Sequence, residues 1–153
     1  MSTHHEIERK FLIRNLPDDF FQLPHVEIVQ GYVALDPSGV AVRLRQWGTK
    51  YRMTVKSDRA DFHIEREIVL TEEQFAELWP ATEGRRLRKV RYQVPHQEYV
   101  IEVDVYRGRA EGLIVAELEF PDQKSRANFQ KPDWLGTEIS GLEQYSNHAL
   151  ATE

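Results

Sequence analysis

Apolar and polar side chains alternate with a period of two over most of this chain, the spacing at which a strand sends successive side chains to opposite faces. Runs at 6–14, 27–35, 40–47, 51–57, 62–70, 86–94, 99–106 and 113–120 predict eight strands joined by short links, hence an antiparallel meander. Asp36-Pro37-Ser38-Gly39 predicts a hairpin turn, with Pro fixing φ and Gly open to positive φ. Thr71-Glu72-Glu73-Gln74 reads as a capping box opening a helix whose apolar stripe, Phe75, Leu78 and Trp79, stops at Pro80. Beyond Phe120 the alternation fades, and the sequence predicts a short helix over 122–130, a loop over 132–141 and a terminal helix over 142–150. No repeat or low-complexity linker interrupts it, so one domain over residues 1–153 is expected.

Sorting each strand by parity separates two chemically opposite faces. One carries Glu6, Glu8 and Lys10; Arg43 and Arg45; Arg52, Thr54 and Lys56; Glu65 and Glu67; Lys89 and Arg91; Glu102 and Asp104; Glu117 and Glu119. The other carries Ile7, Val29, Val33, Val42, Leu44, Met53, Val55, Val90, Tyr92, Ile101, Val103, Ala116 and Leu118. Tyr32 shares parity with Gln30 and belongs with the charged face.

Two geometries satisfy such a pattern. An open sheet turns the apolar face inward and wets the charges; a closed barrel with its apolar outside covered by helices or a second subunit lines a lumen with them. A solvated face usually mixes its charges, whereas here acidic and basic doublets occupy different strands. Like charges two residues apart repel unless something of opposite sign lies between them. Carboxylates from separate strands can jointly hold an oxygen-ligated Mg²⁺ or Mn²⁺, and Arg and Lys doublets grip phosphate oxygens. A barrel lined with both binds a polyphosphate–metal complex; a barrel whose acids and bases only neutralise each other is the competing reading.

Composition narrows the setting. With 153 residues, 41% of them hydrophobic, the chain has enough apolar material for one independent core. A net charge of −5 argues against bulk nucleic-acid binding, so any anion site is local. The absence of cysteine and of any apolar run long enough to span a bilayer leads us to expect a cytoplasmic protein.

The ordered set Glu6-x-Glu8-x-Lys10, Arg43-x-Arg45, Thr54-Val55-Lys56, Glu65-x-Glu67, Lys89-x-Arg91, Glu102-x-Asp104 and Glu117-x-Glu119 resembles the CYTH superfamily, the triphosphate tunnel metalloenzymes, over nearly the whole chain. The resemblance implies a mainly β (α+β) fold, an eight-stranded antiparallel closed β-barrel with a few covering helices. It also implies metal-dependent hydrolysis of a triphosphate, inorganic tripolyphosphate first, in the short bacterial branch. It assigns Glu6, Glu8, Glu117 and Glu119 to Mg²⁺ or Mn²⁺, and Lys10, Arg43, Arg45, Lys56, Lys89 and Arg91 to phosphate. Glu65, Glu67, Glu102 and Asp104 are divided between metal and the positioning of bases. Lys56 and Tyr32 form the catalytic pair. Alternatives are a nucleoside or thiamine triphosphatase, a class IV-type adenylyl cyclase, and a non-catalytic polyphosphate- or nucleotide-binding barrel. The cyclases often carry His-Phe ahead of their E-x-E-x-K, which His4-His5 does not reproduce. With only one long helix predicted to cover eight strands, a homodimer is expected.

Overall fold

The computed structural model describes residues 2–3, 7–59 and 62–153, with side chains described for 7–57 and 64–153. Glu6, His4 and His5 lie outside the described residues. Ten strands run in chain order: β1 (Ser2–Thr3), β2 (Glu8–Ile13), β3 (His25–Leu35), β4 (Val40–Trp47), β5 (Lys50–Arg59), β6 (Phe62–Leu70), β7 (Arg86–His96), β8 (Tyr99–Arg107), β9 (Ile114–Glu119) and β10 (Leu135–Glu138). They form one sheet ordered β1-β6-β5-β4-β3-β7-β8-β9-β2-β10, and every pairing is antiparallel.

The eight long strands match the alternation, and two short ones fall outside it. β10 lies where the sequence suggests a loop, recruited as an edge partner for β2; four residues are too few for a period of two to register. Among the described residues the ladder does not close, because no pairing joins its β1 end to its β10 end. The antiparallel, mainly β architecture therefore stands, while closure into an eight-stranded barrel is not a hydrogen-bonded feature of these residues.

The sheet is nevertheless strongly curled. Leu12 of β2, Tyr32 of β3, Ala41 of β4, Leu87 of β7, Tyr106 of β8 and Val115 of β9 all have the parity of the charged face, and all meet in one cluster with Ile139, Leu150 and Ala151. Strands from opposite halves of the ladder reach one cluster only if that face is concave. The C-terminal segment sits on the apolar end of this concavity, held by reciprocal backbone bonds between Arg86 and Glu153 (2.9 and 3.1 Å).

The convex face is covered in two patches. Phe11, Tyr92, Val94, Ile101, Val103, Ala116 and Leu118 are covered by Phe20, Phe129 and Leu135. On the other half, Leu44 and Leu70 are covered by Phe75 of α1 (Glu72–Leu78). The Thr71 capping box forms in both directions, and Phe75 stacks on Trp79 at 5.1 Å. After β9 the expected helix is the shorter α2 (Gln123–Asn128), capped by Asp122. The terminal helix is broken into a 3-10 turn at Glu143–Tyr145 and α3 (Asn147–Leu150), capped by Ser146, because the Ser146 side chain both accepts from the Ala149 amide and returns its hydroxyl to the Glu143 carbonyl. Among the described residues no helix is long and apolar enough to cross a membrane.

Candidate active site

On β7 and β8 the parity rule places Lys89, Arg91, Glu102 and Asp104 side by side, and cross-strand register converts their charges into a network. Asp104 accepts from Lys89 Nζ at 2.8 Å and from Arg91 Nε and Nη2 at 2.8 and 3.0 Å. Arg91 reaches Glu102 at 2.9 Å as well. Burial pushes the Asp104 carboxyl up, but Lys89 and Arg91 outweigh it and hold its pKa well below the carboxylate range. Burial lowers the Lys89 amine to about 8 in spite of Asp104. Asn147 of α3 closes this side: its Oδ1 accepts from Tyr106 at 2.8 Å and lies 3.4 Å from Lys89 Nζ.

Across β3 the basic strand β4 is built differently. Arg43 is buried, and its Nε finds no hydrogen-bond partner. Arg45 Nε donates to Gln30 Oε1 at 3.0 Å, while the Gln30 amide nitrogen, fully buried, is also without a partner. Burial, and then the charges of Arg43 and Arg91, bring the Arg45 guanidinium down to about 10. These groups share one electrostatic environment and two orphaned donors.

On β2 and β9, Glu8 sits opposite Glu119 and Lys10 opposite Glu117 in register. Glu117 is hydrogen-bonded to Glu8; burial raises its pKa, and that bond together with Lys10, Arg91 and Lys89 lowers it further than burial raises it. Lys10 Nζ lies 3.9 Å from Glu117. Arg126 of α2, which as a sequence looks like a surface charge, instead donates from Nε to the Glu8 carbonyl at 3.0 Å.

The remaining expected site residues lie on β3, β5 and β6. Lys56 pairs with Glu65 at 3.1 Å, and Glu67 accepts from Arg52 at 2.8 Å and Thr54 at 2.7 Å. Tyr32 is buried next to a break in the β3–β4 register. Its neighbour Gly31 admits Thr82: a Cβ there would lie 2.7 Å from the Thr82 Cβ. Tyr32, Arg43 and Lys56 share a cavity of about 470 Å³ with Glu8 and Lys10, so β2 and β5 face each other across it. His148 also lines that cavity, edge-on to the Tyr32 ring and hydrogen-bonded to Glu143. Among the described residues, no three carboxylates or imidazoles gather within metal-binding geometry.

As sequence, Gln30 and His148 carry no site signal, Arg126 reads as a surface charge on a helix near one opening, and Asn147 reads only as part of a terminal helix that plugs one end. Gln30 has the right parity but no charge, and the other three come from segments whose docking no periodicity encodes. The basic run from Arg85 to Arg88 is tied down locally: Arg85 donates to the carbonyls of Tyr32 and Ala81, Arg86 to Thr82 and the Trp79 carbonyl, and Arg88 pairs with Glu153.

No family model matches the sequence. The inorganic triphosphatase of Nitrosomonas europaea is 41% identical over 148 residues, covering 95% of this chain and 96% of its own. A crystal structure of an inorganic triphosphatase superimposes with a TM-score of 0.77 at 39% identity, over 100% of this chain and 98% of that one. The chain belongs to the CYTH superfamily. A second CYTH relative, the inorganic triphosphatase of Acetivibrio thermocellus, is 34% identical over 151 residues, 95% of this chain and 92% of its own. A putative adenylate cyclase from Bacillus halodurans shares the CYTH fold, with a TM-score of 0.56 at 15% identity over 86% of this chain and 95% of that one.

Proposed function

We propose that this CYTH protein is a single-domain, metal-dependent inorganic triphosphatase working inside an eight-stranded tunnel made by β2–β9. One observation carries the reading: buried Arg43 and Gln30 each hold a donor without an acceptor, beside Arg45 and within reach of Lys89 and Arg91. Buried donors are paired in nearly all proteins, so this cluster is built for an acceptor that arrives with negative charge. The names of the two relatives support tripolyphosphate as that anion. The inward cluster joining β2 to β4 supports the closed form of the sheet.

The metal donors fit a hard divalent cation. Glu8, Glu117 and Glu119 are oxygen donors on paired strands that do not by themselves gather into a three-ligand site among the described residues, and the approach of Glu8 to Glu117 juxtaposes two carboxyls that cannot both ionise cheaply without a cation near them. Glu6, Glu8, Glu117 and Glu119 would hold Mg²⁺ or Mn²⁺, which when bound neutralises phosphate charge and fixes the substrate's position. Lys10, Arg43, Arg45, Lys89 and Arg91 bind the other phosphate oxygens. Glu65, Glu67, Glu102 and Asp104 act on the bases, holding Lys56, Arg52, Arg91 and Lys89 in place. Tyr32 and Lys56 orient a water for attack on a terminal phosphorus, breaking one phosphoanhydride bond to leave phosphate and pyrophosphate. Phosphoryl transfer of this kind needs position and charge more than covalent chemistry.

Phosphate release from tripolyphosphate, ATP and thiamine triphosphate with Mg²⁺, Mn²⁺ or chelator tests this. Rapid, metal-dependent release from tripolyphosphate, lost in Lys56→Ala and Glu8→Ala variants that keep the wild-type circular dichroism, is expected. Binding without release would instead identify a passive polyphosphate carrier. A homodimer belongs to this reading, supported by Ile68, 55% exposed on the convex face of β6; a monomer by light scattering removes it. A cytoplasmic setting is supported by the lack of cysteine.

A further inference from the structure

The strand that presents Tyr32 does not keep its period of two. Tyr32 and Leu35 both line the cavity shared with Arg43 and Lys56, whereas Val33 packs on the convex side with Leu44 and Phe75. Residues three apart on a strand share a face only where an extra residue has entered it. The register supplies that residue: Tyr32 opposes Arg43 and Ala34 opposes Val42, so two steps on β3 answer one on β4, and Val33 is the bulge. A bulge re-aims the side chain beside it and gives up ladder bonds that another group has to replace.

Arg85 is that group. The β3–β7 pairing ends with Gly31 opposite Arg86. One residue further, the Tyr32 amide donates to the Arg85 carbonyl at 2.9 Å, and the Arg85 side chain turns back on the bulge, with Nε donating to the Tyr32 carbonyl at 2.9 Å and Nη2 to the Val33 carbonyl at 3.3 Å. The same Nη2 donates to the Ala81 carbonyl at 2.9 Å, which ties the bulge to the 3-10 turn at Trp79–Thr82. That turn is firmly seated. Thr82 is fully buried against Gly31, where there is no room for a Cβ; its hydroxyl donates to the Trp79 carbonyl at 2.7 Å and accepts from Arg86 Nε at 2.8 Å.

Resting on the triphosphatase reading, we propose that Arg85 is a positioning residue for Tyr32: its guanidinium holds the bulged carbonyls against the seated turn and so sets the ring where its hydroxyl, with that of the attacking water, meets Lys56. The geometry calls for arginine. A planar fork of donors serves three carbonyls on two segments at once, whereas a lysine ammonium is a point donor on a flexible stem. The cavity is lined by Tyr32 and not by Arg85, so the effect reaches the reaction through the tyrosine.

Fluorine NMR of protein labelled with 3-fluorotyrosine, read beside steady-state kinetics on tripolyphosphate, tests this; the Tyr32 signal is identified by its loss in Tyr32→Phe. Arg85→Met is expected to shift or broaden that signal and to lower kcat roughly ten- to a hundredfold with KM unchanged, the scale for a misplaced reacting group. In a Tyr32→Phe background the same substitution is expected to cost nothing further, because the two losses are one loss. Arg85→Lys should fall between wild type and Arg85→Met, and Arg88→Ala, from the same basic run but paired with Glu153, should move neither readout. An unmoved Tyr32 signal, a rise in KM at constant kcat, or an equal kcat loss with and without the Tyr32 hydroxyl would overturn the assignment. Should Arg85→Met lose the wild-type circular dichroism, Arg85→Lys decides on the same readouts. A wild type that does not hydrolyse triphosphate, or full turnover in Tyr32→Phe, strikes the underlying reading instead, and the fluorine signal alone then decides whether Arg85 holds the ring.

Discussion

The two basic strands that face one another across β3 solve the burial of charge in opposite ways. On β7, Lys89 and Arg91 are saturated by Asp104 and Glu102, and Asn147 takes up a further Lys89 contact. On β4, no carboxylate among the described residues is bonded to Arg43 or Arg45; Gln30 is the acceptor for Arg45, and Arg43 Nε finds none among them. The first arrangement is an internally neutralised scaffold that keeps its geometry with or without a ligand. The second is a standing charge excess, tolerated because the scaffold around it is rigid. The β7 cations therefore carry stability together with phosphate contacts and the β4 cations affinity without stability, and variants should separate them.

The largest effect is expected from Asp104→Asn, which leaves two buried cations facing a neutral amide. Removing one partner of a buried pair costs about 3–5 kcal/mol, so urea denaturation should show a much lower midpoint and triphosphate turnover should collapse with it. Next, Arg43→Met should do the reverse. Its unfolding midpoint is expected to be unchanged or higher, because a poorly paired buried cation is gone, while kcat/KM falls about 10²- to 10³-fold, the scale for one charge-stabilising donor. Equal losses of stability in the two variants would dissolve the contrast.

The pH dependence sharpens the same division. Asp104 and, beyond the site, Glu138, held at about 2 by its bond from Arg9, bind their protons less tightly folded than unfolded. Their contribution is therefore complete at neutral pH and is lost as pH falls from the ordinary carboxylate range toward 2. Lys89 works the other way: its folded value of about 8 lies below its ordinary 10.5, so stability rises with pH between them while affinity for triphosphate drops as the ammonium is lost. Equilibrium unfolding at a series of pH values should show both arms, with the alkaline one flattened in Lys89→Met. The smallest effect is expected from Asn147→Ala, which removes one neutral acceptor from Lys89: about a threefold rise in KM by steady-state kinetics, in keeping with a net contribution near 1 kcal/mol or less.

The residues on the two sides of this contrast are legible in the sequence; their pairing is not. Strand parity put Arg43, Arg45, Lys89, Arg91, Glu102 and Asp104 on one face, because a side-chain period of two survives whatever the sheet does globally. The bounds of β4 and β6 match the alternation residue for residue. What parity does not carry is pairing partners. Glu102 and Asp104 read equally as metal ligands or as holders of bases; the β7–β8 register, Arg91 opposite Asp104, puts them against bases. Arg126 and Asn147 lie in short, polar helices whose positions are fixed by tertiary contacts, the Glu8 carbonyl and the Tyr106 hydroxyl, that no local pattern announces.

The placement of β2 has a consequence for how the protein comes into being. It is the first long strand made, yet its neighbours are β9 and β10, with Glu8 opposite Glu119. A nascent chain therefore carries Glu8 and Lys10 on an unsatisfied edge until residue 119 has left the ribosome, holding open a strand that other polypeptides can borrow. The half of the sheet from β3 to β6 pairs within itself apart from the short β1 and the β3–β7 edge and can form first. Catalytic competence is thus the last thing synthesis delivers, and a truncated product folds, if at all, without it.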